Sequence, residues 1–280
     1  MVSKLDILQR FYQISLDKES DYFEYQGQLY YFNQVNNFTN YYPYYVNALG
    51  LNGFQVVMNC FNHPISMDYM LYTYQIEEYL LDSFINLSLQ SINKTIEIIK
   101  IKESWCTILD QAKSKLGNYA SRISHFEHFI ILFYYYQGLG ETAINILNMI
   151  NEEVFHLGVE HFYFNDCYED LCNPNNLIFA SRIKDLASSY KKGIIDIEQL
   201  DNYIKKGNLS SNEIIYLYAR LLFPSEFMAL AINEDCNDLQ IKKKLLLMYQ
   251  NIDYERQRLI IAIDLLNNYV KLPRIAWLEH

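Results

Sequence analysis

The sequence predicts an α+β fold with a small antiparallel β-rich lobe over residues 1–75 and a larger helical lobe over residues 76–277. Three observations lead there. Short aromatic runs separated by turn residues fill the first part of the chain. After residue 90, apolar residues recur three and four apart, the period of a helix. The two patterns follow one another, which gives a small antiparallel sheet and then a larger helical part.

Residues 4–16 predict a short helix, since Leu5, Leu8, Tyr12 and Leu16 fall at near-helical spacing. Tyr22-Phe23-Glu24-Tyr25 and Leu29-Tyr30-Tyr31-Phe32 flank Gly27 and predict a hairpin. Gly53–Met58 and Tyr69–Tyr74 predict two further strands, with Asn62-His63-Pro64 as the turn between them. Beyond residue 90, Ile92, Ile96 and Ile99 and the series Trp105, Ile108, Leu109, Ala112, Leu116 predict helix. His125–Tyr136 predicts a helix broken at Gly138, with Glu141–Met149 as the next. Residues 155–180, aromatic and Asn-rich with Pro174, predict irregular structure. Helices return at 182–191, 196–206, 211–222, 239–250 and 253–270. Ser210, with Glu213 three residues on, is the N-cap pattern of the third of these.

The chain has 280 residues, 51% of them apolar, which supports a folded core. Its net charge of −10 argues against nucleic-acid binding, which needs clustered cations. The basic pairs Lys191-Lys192 and Lys205-Lys206 and the triple Lys242-Lys243-Lys244 fit solvated helix faces. Between Lys18 and Lys94 there is no lysine or arginine. No apolar run spans a bilayer and no signal-peptide pattern opens the chain, so no membrane insertion is expected and a cytoplasmic location is. Five scattered cysteines, Cys60, Cys106, Cys167, Cys172 and Cys236, fit reduced core thiols. Leu278-Glu279-His280 looks like a purification-tag remnant.

Three segments carry a resemblance. Tyr134-Tyr135-Tyr136-Gln137-Gly138-Leu139-Gly140-Glu141-Thr142-Ala143-Ile144 resembles a helix junction of the YutH/CotS-type spore-coat proteins. Asn173–Phe179, running on to Lys184-Asp185-Leu186-Ala187, resembles that family's segment after the catalytic loop. Tyr218–Pro224 is similar to one of its C-terminal helices. The matches span residues 95–260. The family is related to the aminoglycoside phosphotransferases, so the resemblance implies a two-lobed protein-kinase-like fold in a bacterial protein, at the spore coat if the organism forms spores.

An active relative would show a His-x-Asp…Asn catalytic loop, whose Asp takes the proton of the attacking hydroxyl and whose Asn helps hold the metal, then a metal-binding Asp. Two registers fit in part. In the first, Asp170 is the base and Asn175 the metal ligand, but Tyr168 replaces the histidine and no metal-binding Asp fits before Asp185. In the second, His161 takes the histidine's place and Asn176 falls where the metal-binding Asp belongs. It runs without gaps to Asp185-Leu186-Ala187 and is preferred, yet Phe162 and Tyr163 leave no base. An amide does not offset a divalent cation's charge as a carboxylate does. Such enzymes also use a first-lobe strand lysine on ATP, and Lys4 and Lys18 lie too early to be it.

These features predict a catalytically degenerate, pseudokinase-type protein that binds a small ligand or a protein partner and needs no cofactor. One alternative is an active ATP-dependent small-molecule phosphotransferase using Asp170, Asn175, ATP and Mg. The other is a helical interaction scaffold unrelated to kinases. No metal site is expected, although His125 and His128, with His156, His161, Asp166, Cys167 and Cys172, contain possible ligands. No hydrolase motif occurs. The neighbouring carboxylates Glu77-Glu78, Glu152-Glu153 and Glu169-Asp170 diverge on a helix and fit surface solubility. Tyr41-Tyr42-Pro43-Tyr44-Tyr45 fits either a contact surface or a loop packed on the sheet.

Overall fold

Ser3 starts the first element through a capping box: its hydroxyl accepts from the Asp6 amide, and the Asp6 carboxylate accepts from the Ser3 amide. The computed structural model describes residues 2–34, 54–74, 85, 89, 95–120, 126–151, 154–162, 164, 176–232 and 238–279. The aromatic run Tyr41–Tyr45 lies outside them. The capped helix α1 (Lys4–Ile7) leads into a single π turn, Leu8–Tyr12. It ends before the predicted residue 16 because Gln13 adopts a left-handed conformation (φ 59°) that stops the helical hydrogen bonding.

The chain divides into two units. The first, residues 1–92 with 158–180, contains a five-stranded antiparallel sheet. Strands β1 (Tyr22–Tyr25) and β2 (Gln28–Gln34) form the predicted hairpin, turned by Gln26 and Gly27 at φ 53° and 77°. β3 (Phe54–Val56) and β5 (Tyr69–Tyr74) follow as predicted, in the order β1-β2-β5-β3. A short extra strand, β4 (Ile65–Ser66), pairs with β5. It depends on Asn59, whose Oδ1 accepts from the Phe61 and His63 amides (2.8 and 2.9 Å) while its Nδ2 donates to Ser66 Oγ (2.8 Å). Proline placement gives no hint of this side-chain clamp. Fully buried Phe32 and Leu71 oppose each other across β2 and β5, and Ile7, Leu8, Ile14 and Phe23 complete the core. Stacking of Tyr31 on Tyr72 and of Phe32 on Tyr69 (5.4 and 5.0 Å) adds to what area burial contributes.

A second sheet has the order β6-β7-β8: Thr95–Glu97, Val154–His161 and Leu177–Ser181. It corrects two expectations, helix at 95–97 and irregular structure throughout 155–180. Phe155 and Leu157 are buried in alternation with exposed Val154 and His156, and Ile96 faces Phe155 across the antiparallel pair.

The second unit, residues 93–157 with 181–280, is helical. It contains α2 (Ile98–Ala120), α3 (Phe126–Leu147), α4 (Lys184–Lys191), α5 (Ile197–Lys206), α6 (Ser211–Leu222), α7 (Ser225–Ile232), α8 (Asp238–Leu266) and α9 (Ala276–Glu279). Gly138 does not break α3; the helix continues, and Thr142 Oγ1 donates to the Gly138 carbonyl (2.7 Å). Gly140 lets α2 approach, since a Cβ there would lie 2.7 Å from Leu109 Cδ2. α8 is one helix where the sequence predicts two, and α7 is additional, set off by Pro224 after an extended Phe223. Leu278, at the C-terminal end, is buried. Among the described residues, no single helix is long and apolar enough to cross a membrane.

α6 is the hub of this unit. The predicted capping box of Ser210 and Glu213 starts it, and Ile214–Ala219, Leu221 and Leu222 are all buried, as expected of a helix surrounded by others. Phe155 stacks on Tyr216 (4.9 Å), and Trp105 stacks on Phe223 just past the helix (4.2 Å). A polar group sits beside the hub. Tyr136 donates to Glu255 (2.8 Å), and Lys191 turns its ammonium inwards onto the Phe223 carbonyl (2.6 Å) although the residue is only half-buried overall. Burial raises the Glu255 carboxyl above its usual range, while the Tyr136 bond and the Lys191 charge pull the other way. Burial lowers the Lys191 ammonium to about 8 against partial compensation from Glu226 and Glu255.

Lys191 therefore has its own pH signature. The unfolded chain holds that proton up to the ordinary value of 10.5, whereas the folded chain releases it at about 8. The buried charge costs stability below pH 8, and the cost falls as pH rises between these values. Urea unfolding of wild type and Lys191→Met is expected to show a stability difference that shifts in favour of wild type from pH 7 to pH 9.5. A difference independent of pH would contradict the buried charge.

Candidate functional site

Strand β7 delivers His161 at its C-terminal end. The last five residues of the strand are all buried, so its alternation disappears and Glu160 and His161 both sit inside, at 0% and 1% exposure. The His161 ring meets Phe164 edge to face (5.5 Å). The Phe162 amide then donates to the Asn176 carbonyl (2.6 Å), which brings the residue after β7 and the residue before β8 together. His161 and Asn176, the two positions of the preferred register, thus stand at the ends of one closed segment. The Asn176 amide is itself buried. The segment between them includes Asp170 and Asn175, which lie outside the described residues, as do Tyr168, Asp166, Cys167, Cys172 and His125.

The second unit holds Asp185, in the first turn of α4. Its carboxylate is fully buried, with Lys184 Nζ 3.8 Å away, and the helix N-terminus favours a negative charge there. Arg182, just before this helix, carries a stronger ion pair that no sequence motif marks. Its guanidinium grips the Glu213 carboxylate with Nε and Nη2 (the latter at 2.7 Å) and donates through Nη1 to the Gly207 carbonyl (3.2 Å). Both side chains are largely buried, at 16% and 8% exposure. Burial alone would raise the Glu213 carboxyl, but the Arg182 and Ser210 hydrogen bonds outweigh it and hold the carboxyl below its ordinary value. The pair is invisible to local patterns because its members are 31 residues apart.

His161, Asn176 and Asp185 are each buried within their own unit. Among the described residues, no three of His, Cys, Asp and Glu converge where a metal could be held. His156 is exposed on β7. Cys60 is also exposed, which corrects the expectation of a core thiol there.

Charge is the other element of the site. The ranges 1–92 and 158–180 carry thirteen Asp and Glu against three Lys and Arg, whereas the remaining ranges carry twenty of each. The net charge of −10 thus belongs wholly to the first unit. Its cations are Lys4, Arg10 and Lys18. Lys4 is paired with Asp21 and lies over the Tyr69 ring (5.5 Å), and Arg10 lies over Phe11 (5.7 Å). None of the five described strands of the first sheet carries a lysine or arginine.

The Arg182–Glu213 pair is testable. A lowered carboxyl contributes stability above its unfolded value of 4.5, and loses it as pH falls through the folded value. Glu213→Gln is expected to lower stability at pH 7 by about 3 kcal/mol, since it strands a buried guanidinium. The deficit should shrink in acid. A deficit of equal size at pH 7 and in acid would contradict the assignment.

The sequence matches no protein-family model and no curated protein. The fold does have a counterpart: the crystal structure of an aminoglycoside phosphotransferase from Alicyclobacillus acidocaldarius subsp. acidocaldarius DSM 446 superposes with a TM-score of 0.62 over 90% of this chain and 92% of that one, at 12% identity. With its small antiparallel sheets and larger helical part, the chain has an aminoglycoside-phosphotransferase-like, kinase-type α+β fold.

Proposed function

We propose that this protein is a phosphotransferase-like binding protein, pseudokinase in type, which recognises a small ligand or a protein partner and no longer transfers phosphate. The observation that carries the reading is the missing cation. Phosphoryl transfer of this kind relies on a first-lobe lysine to offset triphosphate charge. In this chain residues 19–93 contain no lysine or arginine, and the unit they dominate holds the whole negative excess. An anion approaching that unit meets repulsion. Asn176 at the metal-Asp position and the burial of His161 and Asp185 support the same reading. Kinship with YutH/CotS-type spore-coat proteins, and a location in the cytoplasm or spore coat, are part of the proposal and rest on the sequence resemblance.

A thermal-shift titration tests it. Millimolar ATP with magnesium is expected to leave the melting temperature unchanged, since only binding to the native state raises it. Clear magnesium-dependent stabilisation would contradict the proposal and favour an active enzyme built on Asp170 and Asn175. Turnover in that enzyme would be lost in Asp170→Asn.

A further inference from the structure

Helix α8 buries one face through Ile241, Leu245, Leu259, Ile263 and Leu266. Its opposite face presents Lys243, Leu247, Gln250, Tyr254, Gln257, Ile261 and Asp264, all exposed. Their spacing alternates four and three, which places them in one stripe along the helix. A solvated helix face usually carries charge throughout. This stripe instead carries Leu247, Tyr254 and Ile261 at 59%, 58% and 50% exposure, with Leu246 alongside at 47%. Among the described residues, nothing in the helical unit covers them.

The stripe is a palindrome about Tyr254. Gln250 and Gln257 flank it, then Leu247 and Ile261, then Lys243 and Asp264 with opposite charge. Reversed, the stripe meets itself in residue type, with Leu247 and Ile261 equidistant from Tyr254 and the other pairs within one residue of register. A second α8 laid antiparallel, with the two-fold axis at Tyr254, sets Leu247 against Ile261 of the second copy and Lys243 against its Asp264. Lys242 lies next to the same contact. A parallel arrangement would oppose Lys243 to Lys243 and is disfavoured. Isologous two-fold contacts require this kind of self-complementarity.

Two details prepare the face. Tyr254 is steadied before any partner arrives: its hydroxyl lies 3.4 Å from Arg258 Nη1, and Arg258 stacks on Tyr190 at 4.2 Å. Among the described residues, Asp264 has a loose cationic neighbour in Arg274 at 3.8 Å, with side chains 62% and 69% exposed, so its carboxylate remains accessible to a further cation.

We propose that the protein forms a two-fold symmetric dimer through this face of α8, with the helices antiparallel and the Lys242–Lys243 pair of each copy engaging Asp264 of the other. Sedimentation velocity over a concentration series, from about 1 to 300 µM, tests it on the full chain and is expected to show a monomer–dimer equilibrium. Asp264→Lys and Lys242→Asp/Lys243→Asp should each weaken the dimer by about tenfold or more, because like charges then face each other. The triple variant combining them should restore it to near wild type. The positions are exposed, and circular dichroism melts confirm that each variant folds. A chain monomeric throughout the series overturns the proposal and leaves the stripe to another partner. A dimer indifferent to the charge reversals, or not restored by the triple variant, also overturns it.

Discussion

Electrostatic self-repulsion is a constraint on the whole β-rich unit. Thirteen carboxylates and three cations must share it, so burial of aromatic rings has to hold together what charge pushes apart. Phe32, Leu71, Phe23 and the residues of the first helical turns supply that burial, and tyrosines stack across neighbouring strands. Lys4 is committed to Asp21 and the Tyr69 ring. Lys4 and Arg10 are engaged on the unit's own surface near the N-terminus, and its described strands carry no cation.

The helical unit solves a different problem. Its charges balance, and several are taken inside where they tie distant segments together. Arg182 joins the residue after β8 to the start of α6 and to the end of α5. Arg258 donates to the Tyr190 and Ile195 carbonyls (2.5 and 3.0 Å) and so fixes the turn between α4 and α5 onto α8. Lys191 and Glu255 sit in the same region with their protonation shifted in opposite senses by burial. Each also ties one helix to another segment, Lys191 through the Phe223 carbonyl and Glu255 through the Tyr136 hydroxyl.

Elements whose determinants are local were legible in the sequence. The Gln26-Gly27 hairpin, β5 and the Ser210–Glu213 cap each depend on a few adjacent residues, and the sequence pattern finds them. Elements whose determinants are distant were not. β6 exists because Phe155 pairs with Ile96, β4 because Asn59 reaches Ser66, and α3 runs through Gly138 because the packing around it sustains the helix. For the site, the sequence pointed to His161, Asn176 and Asp185, and all three are buried, a property periodicity could not assign to polar residues. The Arg182–Glu213 pair left no trace in the sequence, since nothing near either residue names the other.

The charge partition leads to one direct measurement. Calorimetric titration of magnesium-ATP into the full chain at low ionic strength favours any anion site that exists, because screening is then weakest. Heats indistinguishable from dilution up to millimolar nucleotide are the predicted result. Saturable one-to-one binding at tens of micromolar, lost when a lysine or arginine of the helical unit is neutralised, would show that the missing strand lysine has been replaced from the other unit, and a chain unable to hold a triphosphate would be the wrong description of this protein.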